Sequence, residues 1–150
     1  MEQRFETFTV LVSKISRNIK RLKADQMAQL DLKGPHVSCL YYLYRCGSLT
    51  AAELCDRCEE DKAAISRSLD YLERNGYLQC QSAGNKKYKS PLILTPKGRQ
   101  TGEEVARRID RIVELASQGL TEQEREGMYQ AMERICANLE ELSQQEAKEI

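Results

Sequence analysis

Between residues 50 and 94 the spacing of apolar residues changes character, and that change limits the chain to few folds. Thr50-Ala-Ala-Glu53 has the form of a capping box, in which the Thr hydroxyl and the Glu carboxylate each satisfy an orphan backbone donor. It predicts a short helix from Ala51 to about Arg57. Glu59-Glu60-Asp61 predicts the start of another helix, because negative side chains suit a helix N-terminus. Its apolar residues Ile65, Leu69 and Leu72 keep to one side until Asn75-Gly76 ends it. Tyr77-Leu78-Gln79-Cys80-Gln81 then alternates as a strand does. Ser82-Ala83-Gly84-Asn85 is turn chemistry. Lys86 to Leu94 predicts a return strand, with Pro91 marking an exposed edge. The pattern is two short helices in tandem, followed at once by a basic β-hairpin.

Longer helical stretches flank this centre. Phe5, Phe8, Val12, Ile15, Ile19 and Leu22 recur at steps of three and four and predict a helix over residues 4–24. Gly34-Pro35 opens a second helix, with Val37, Leu40, Tyr41 and Tyr44 on its apolar face and Gly47 as its stop. After the hairpin, Thr95-Pro96 caps a fifth helix carrying Val105, Ile109, Ile112 and Ala116. Gly119 ends it. Thr121-Glu-Gln-Glu124 is a second capping box, opening a sixth helix with Met128, Met132, Ile135, Leu139 and Leu142.

The 150 residues carry 23 basic and 23 acidic side chains, so net charge is uninformative while its distribution is not. Residues 61–99 hold eight Lys/Arg against three Asp/Glu, a local +5. Residues 120–150 hold three against eight, a local −5. The basic stretch coincides with the tandem helices and the hairpin, which is where a polyanion would be bound.

In helix-turn-helix units the second helix enters the DNA major groove. Here Ile65, Leu69 and Leu72 must face a core, which leaves Lys62, Ala63, Ser66 and Arg67 toward the opposite side. Small side chains admit close backbone approach, Ser66 donates or accepts, and Arg67 pairs with phosphate or guanine. Lys86, Lys87 and Lys89 add sequence-independent, salt-sensitive affinity at the hairpin. The candidate DNA-binding residues are therefore Lys62, Ala63, Ser66, Arg67, Lys86, Lys87 and Lys89.

With LTAAEL at 49–54, DKAAISRSLDYLERNGYL at 61–78 and LTPKGRQ at 94–100, the sequence resembles the MarR family of bacterial and archaeal regulators. The resemblance implies a homodimer in which the first, fifth and sixth helices interlock. It implies binding to pseudo-palindromic double-stranded DNA near promoters, usually as a repressor. Release by phenolic compounds, drugs, oxidants or metals is also implied. A small aromatic or phenolic effector would occupy a pocket between the first, second and fifth helices; of Tyr41, Tyr42 and Tyr44 on the second helix, core packing accounts for Tyr41 and Tyr44. The family's wing often carries an Asp-Arg pair. Lys86-Lys87 stands there instead, which favours backbone contact over a planar guanidinium inserted into the minor groove.

The expected fold is mainly α with a small β-hairpin wing. Residues 31–99 form the winged helix-turn-helix DNA-binding domain, and residues 1–30 and 100–150 form dimerisation helices. The terminal apolar seams, Leu139 and Leu142 included, exceed what such a core can cover alone and need a symmetric mate. The N-terminus lacks the order of a signal peptide, and no apolar run is long enough to span a bilayer, so the cytoplasm is expected, without membrane contact.

Six cysteines, Cys39, Cys46, Cys55, Cys58, Cys80 and Cys136, are expected as reduced thiols. Cys55-x-x-Cys58 supplies two of the four ligands that zinc needs. The remaining readings are buried small side chains or a thiol-based redox sensor at the junction of the two DNA-binding helices. His36, the only histidine, is expected to be exposed or supporting rather than a ligand. No phosphate loop, metalloprotease motif or nucleophile elbow is present, so no catalytic residue, metal or cofactor is expected. A winged-helix protein–protein adaptor is the competing class. It would not require Lys62, Arg67 and a lysine-rich wing together.

Overall fold

Several helices begin where a local side chain satisfies a free backbone group. The computed structural model describes residues 2–58, 60–79 and 89–146, the side chains of residues 2, 3, 5 and 146 excepted. The chain forms two units, Met1–Ile112 and Val113–Ile150.

In the first unit, α1 (Glu2–Met27) continues into a 3₁₀ turn at Ala28–Leu30. Asp31 follows in a left-handed conformation with φ 53°. Then come α2 (Gly34–Cys46), α3 (Ala51–Cys58), α4 (Lys62–Arg74), β1 (Leu78–Gln79) and β2 (Ile93–Leu94). The next helix, α5 (Pro96–Ala116), contributes Val105, Ala106 and Ile112 to the buried residues. The core of this unit joins Met27, Val37, Cys39, Leu40, Leu43, Leu54, Ile65 and Leu72 from α1 through α4 to Leu78, Leu92, Leu94 and Val105.

On α2, Val37 and Leu40 are buried as expected, while Tyr41 and Tyr44 are half-buried. Cys39 and Leu43 complete the inner face. Both tyrosines are amphipathic and sit at the margin, where one end of the ring keeps access to polar partners.

Among the described residues the β-structure is shorter than the alternation suggests. β1 and β2 pair antiparallel, Leu78 with Leu94 and Gln79 with Ile93. Residues 80–88 lie outside the described set, but Lys89 and Ser90 form a turn and a bend rather than strand. Pro91, which is exposed, has no N–H to extend a ladder. The next residue pairs elsewhere: the Leu92 N–H donates to the Leu49 carbonyl at 2.8 Å in an isolated antiparallel bridge. That bridge ties the wing to the segment leading into α3.

In the second unit, Gly119 turns the chain with φ 87°. Thr121 and Glu124 form the capping box: the Glu124 carboxylate accepts from the Thr121 N–H at 2.8 Å, and the Glu124 N–H donates to the Thr121 hydroxyl at 3.2 Å. They open α6 (Glu122–Glu146), whose Met128, Met132, Leu139 and Leu142 are exposed in the single chain. Among the described residues, no helix is long and apolar enough to cross a membrane.

Candidate nucleic-acid interface

The interface is built from the start of α3. The Thr50 N–H donates to the Glu53 carboxylate at 2.7 Å, and the Glu53 N–H returns to the Thr50 hydroxyl at 3.2 Å. The backbone hydrogen bond from Thr50 holds the Glu53 carboxyl below its usual range, with the Thr50 hydroxyl adding to it. Asp61 is the N-cap of α4, its carboxylate accepting from the Ala64 N–H at 2.7 Å.

Helix α4 then divides cleanly by period. Ile65, Ser68, Leu69 and Leu72 are buried. Lys62, Ala63, Ser66 and Arg67 are all exposed, at positions i, i+1, i+4 and i+5, which share one helix face. The period predicted the aliphatic residues of the buried side but not Ser68. Lys89, at the described end of the wing, is exposed. Lys86 and Lys87 lie outside the described residues.

Several side chains hold α4 in place, and apolar spacing did not indicate them. Tyr71 donates its hydroxyl to the Asp31 carbonyl at 3.1 Å. Its ring lies flat against His36, with centroids 4.0 Å apart. His36 in turn accepts from the Lys33 N–H through Nδ1 at 3.3 Å, at the start of α2. At the far end of α4, the Thr95 hydroxyl donates to the Gly76 carbonyl at 2.5 Å and accepts from the Gly98 N–H at 3.0 Å. Lys97 donates to the Asn75 carbonyl at 2.7 Å and sits 4.3 Å from the centre of the Tyr77 ring. The signal for these was present in the run LTPKGRQ, where Thr95 and Lys97 lie. The structure gives that run a mechanical meaning: it fastens the end of α4 to the start of α5.

The remaining candidates fall elsewhere. Tyr41 and Tyr42 meet edge to face at 5.2 Å, and Arg45, ion-paired with Asp110, lies 5.7 Å from the Tyr41 ring. Cys55 and Cys58 are half-buried beside the core. Among the described residues, no group of three or more His, Cys, Asp or Glu side chains is arranged to hold a metal ion.

Comparison with known proteins agrees with this fold. A family model described as the MarR family matches residues 30–87. The uncharacterized HTH-type transcriptional regulator YybA of Bacillus subtilis (strain 168) is 25% identical over 130 residues, which is 86% of this chain and 86% of that protein. The structure of NMB1585, a MarR family regulator from Neisseria meningitidis, superimposes with a TM-score of 0.78 at 15% identity, covering 93% of this chain and 95% of that one. The Staphylococcus aureus MepR–DNA complex gives a TM-score of 0.74 at 21% identity, covering 88% and 96%.

Proposed function

Because the chain is a winged-helix protein of the MarR family, whose members are transcriptional regulators rather than enzymes, we propose that it binds a pseudo-palindromic operator as a homodimer and represses transcription. One observation carries the reading. α4 has its apolar side in the core and turns Lys62, Ala63, Ser66 and Arg67 to solvent. At 1.5 Å per residue its 13 residues make a rod of about 20 Å, and the major groove, about 12 Å wide, admits such a rod. Residues 31–99 act as the DNA-binding domain, and residues 1–30 and 100–150 as the dimerisation helices. The neighbouring MepR structure, solved on DNA, supports the same use of the fold.

Each partner surface has its own support. α1 leaves Phe8, Leu11, Ile15, Ile19 and Leu22 exposed, and α6 leaves Leu139 and Leu142 exposed. Apolar series of this length are the usual sign of a protein partner, and an identical copy supplies the simplest mate. An aromatic or phenolic effector belongs to the same reading, supported by the half-buried rings of Tyr41 and Tyr42.

The test is selection of bound sites from random duplex DNA, followed by affinity measurement with Arg67→Ala. The variant should remain dimeric and lose about 1–3 kcal/mol of operator affinity, roughly 5- to 150-fold. Wild-type affinity should fall steeply with added salt. Unchanged binding by Arg67→Ala would remove α4 from the groove. Failure to retain any DNA at low salt would favour the protein–protein adaptor.

A further inference from the structure

Between Gln26 and Lys33, the end of α1 and the link to α2 are tied to three other helices. The Gln26 carbonyl accepts from Arg108 of α5. Met27 and Leu32 are buried in the core. Asp31 turns the chain with φ 53°, the one positive φ outside glycine among the described residues, and its N–H closes onto the Ala28 carbonyl at 3.4 Å. Its own carbonyl accepts from the Tyr71 hydroxyl of α4 at 3.1 Å. The Lys33 N–H donates to Nδ1 of His36 at 3.3 Å, and the His36 ring lies parallel to the Tyr71 ring with centroids 4.0 Å apart. Tyr71 and His36 are both half-buried. Tyr71 is thus held twice. The hydrogen bond fixes the tip of its side chain, and the stack fixes the plane of its ring.

Tyr71 follows Arg67 by four residues, so the two share a side of α4 one turn apart. We propose that Tyr71 and His36 are positioning residues that set sequence selectivity: they fix the pitch of α4 against the end of α1, and with it the register of Ser66 and Arg67 on the base edges. This deepens the DNA-binding reading above and rests on it. Hydrogen bonds to base edges hold over a span of only about 0.5 Å in donor–acceptor distance. Contacts from flexible lysines to phosphates follow the backbone and tolerate a larger displacement. A loosened α4 therefore loses selectivity before it loses its general attraction to DNA. Because residues 1–30 belong to the proposed dimerisation helices, the Tyr71–Asp31 bond also ties each recognition helix to the frame that sets the distance between half-sites.

The two contacts of His36 are separable. Its Nδ1 serves the start of α2, where Lys33 is the N-cap and His36 stands three residues on, the place that glutamine takes in a capping box. Its ring serves α4. His36→Gln can keep the bond to the Lys33 N–H but has no ring to stack on Tyr71. His36→Phe keeps an aromatic plane there but has no acceptor for the Lys33 N–H. Tyr71→Phe removes only the hydroxyl that reaches Asp31 and leaves the stack in place.

The experiment measures the affinity of the full-length protein for the site selected from random DNA and for a duplex of scrambled sequence, over the same salt series. Tyr71→Phe and His36→Gln should each lower the ratio of the two affinities by roughly 5- to 150-fold, the value of one well-placed base contact. Affinity for the scrambled duplex and its salt slope should stay at the wild-type values. His36→Phe should keep the wild-type ratio even though its urea midpoint falls. An unchanged ratio in either Tyr71→Phe or His36→Gln would overturn the proposal. So would a parallel fall in both affinities, which marks a role in stability alone. Loss of selectivity in His36→Phe with a normal His36→Gln would assign the effect to the start of α2 and overturn it as well. If His36→Phe does not fold, the other two variants decide. A wild type that prefers no selected sequence would overturn the functional reading itself, whereas selective binding by the wild type and every variant alike would remove only the positioning role.

Discussion

His36 is where a single residue makes the molecule sensitive to pH. Its ring is stacked on Tyr71 of α4, and its Nδ1 accepts the Lys33 N–H. Burial, with Lys33 nearby, lowers its pKa below the ordinary 6.5. The folded state therefore resists protonation, and the unfolded chain binds the proton first as pH falls. Stability from this source is fully present above the unfolded value of 6.5, declines below it, and is lost once pH drops through the lower folded value. Because His36 is the only histidine, the interval between pH 5.5 and 7.5 sets it apart from the ordinary carboxylates. Urea unfolding of the wild type should show stability rising with pH across that interval, and His36→Gln should flatten the profile. An equal slope in the variant would refute the assignment. The histidine was visible in the sequence, but its stacking partner lies 35 positions away, and no spacing rule connects them.

At the scale of elements, α5 is seated by the absence of side chains. A Cβ on Gly98 would lie 2.0 Å from the Tyr77 carbonyl oxygen, and one on Gly102 would lie 2.9 Å from the Tyr44 Cβ. The two glycines are four residues apart on one face, so they let the helix approach both the strand entry after α4 and the flank of α2. Gly98→Ala should cost about 1–3 kcal/mol or more, because the opposing atom is backbone and cannot rotate away. The readout is a lower urea midpoint at unchanged m-value. Gly127→Ala on α6 is the control. Nothing lies within 4 Å of its added Cβ, and it should be neutral or stabilise by up to about 1 kcal/mol. Equal destabilisation by both substitutions would show that helix propensity, not close approach, governs Gly98. Apolar periodicity placed α5 correctly and passed over these glycines, since a close approach is recorded by what is missing from the pattern. The helix starts were more legible: Thr50, Thr121 and Thr95 each cap the helix that the sequence assigns to them.

For the whole molecule, the decisive quantity is apolar surface left without cover. On α6, Leu139 and Leu142 remain 54% and 56% exposed. Burial of a leucine side chain stabilises by about 1.5–3 kcal/mol, and a two-fold interface counts each twice. If the proposed dimer forms through these leucines, the wild type should sediment as a dimer and the double variant Leu139→Asp, Leu142→Asp as a monomer at the same concentration. It should also lose operator affinity, because two recognition helices about one DNA turn apart bind together or weakly. A variant that still sediments as a dimer would place the partner surface elsewhere. The charge split along the chain, +5 over residues 61–99 and −5 over residues 120–150, belongs to this scale too, since it sets which part of the protein a polyanion approaches first.

The sequence by itself determined the helices, their caps and stops, and which side of residues 62–74 meets solvent. Each of these is settled by hydrogen bonds and side-chain spacing within about four residues. Tertiary structure alone decided the Leu49–Leu92 bridge, the seating of α5 on two glycines and the Tyr71–His36 stack. Those contacts join residues about 20 to 60 positions apart. They form only after the core has closed the intervening loops, and the loops they close leave no period in the chain.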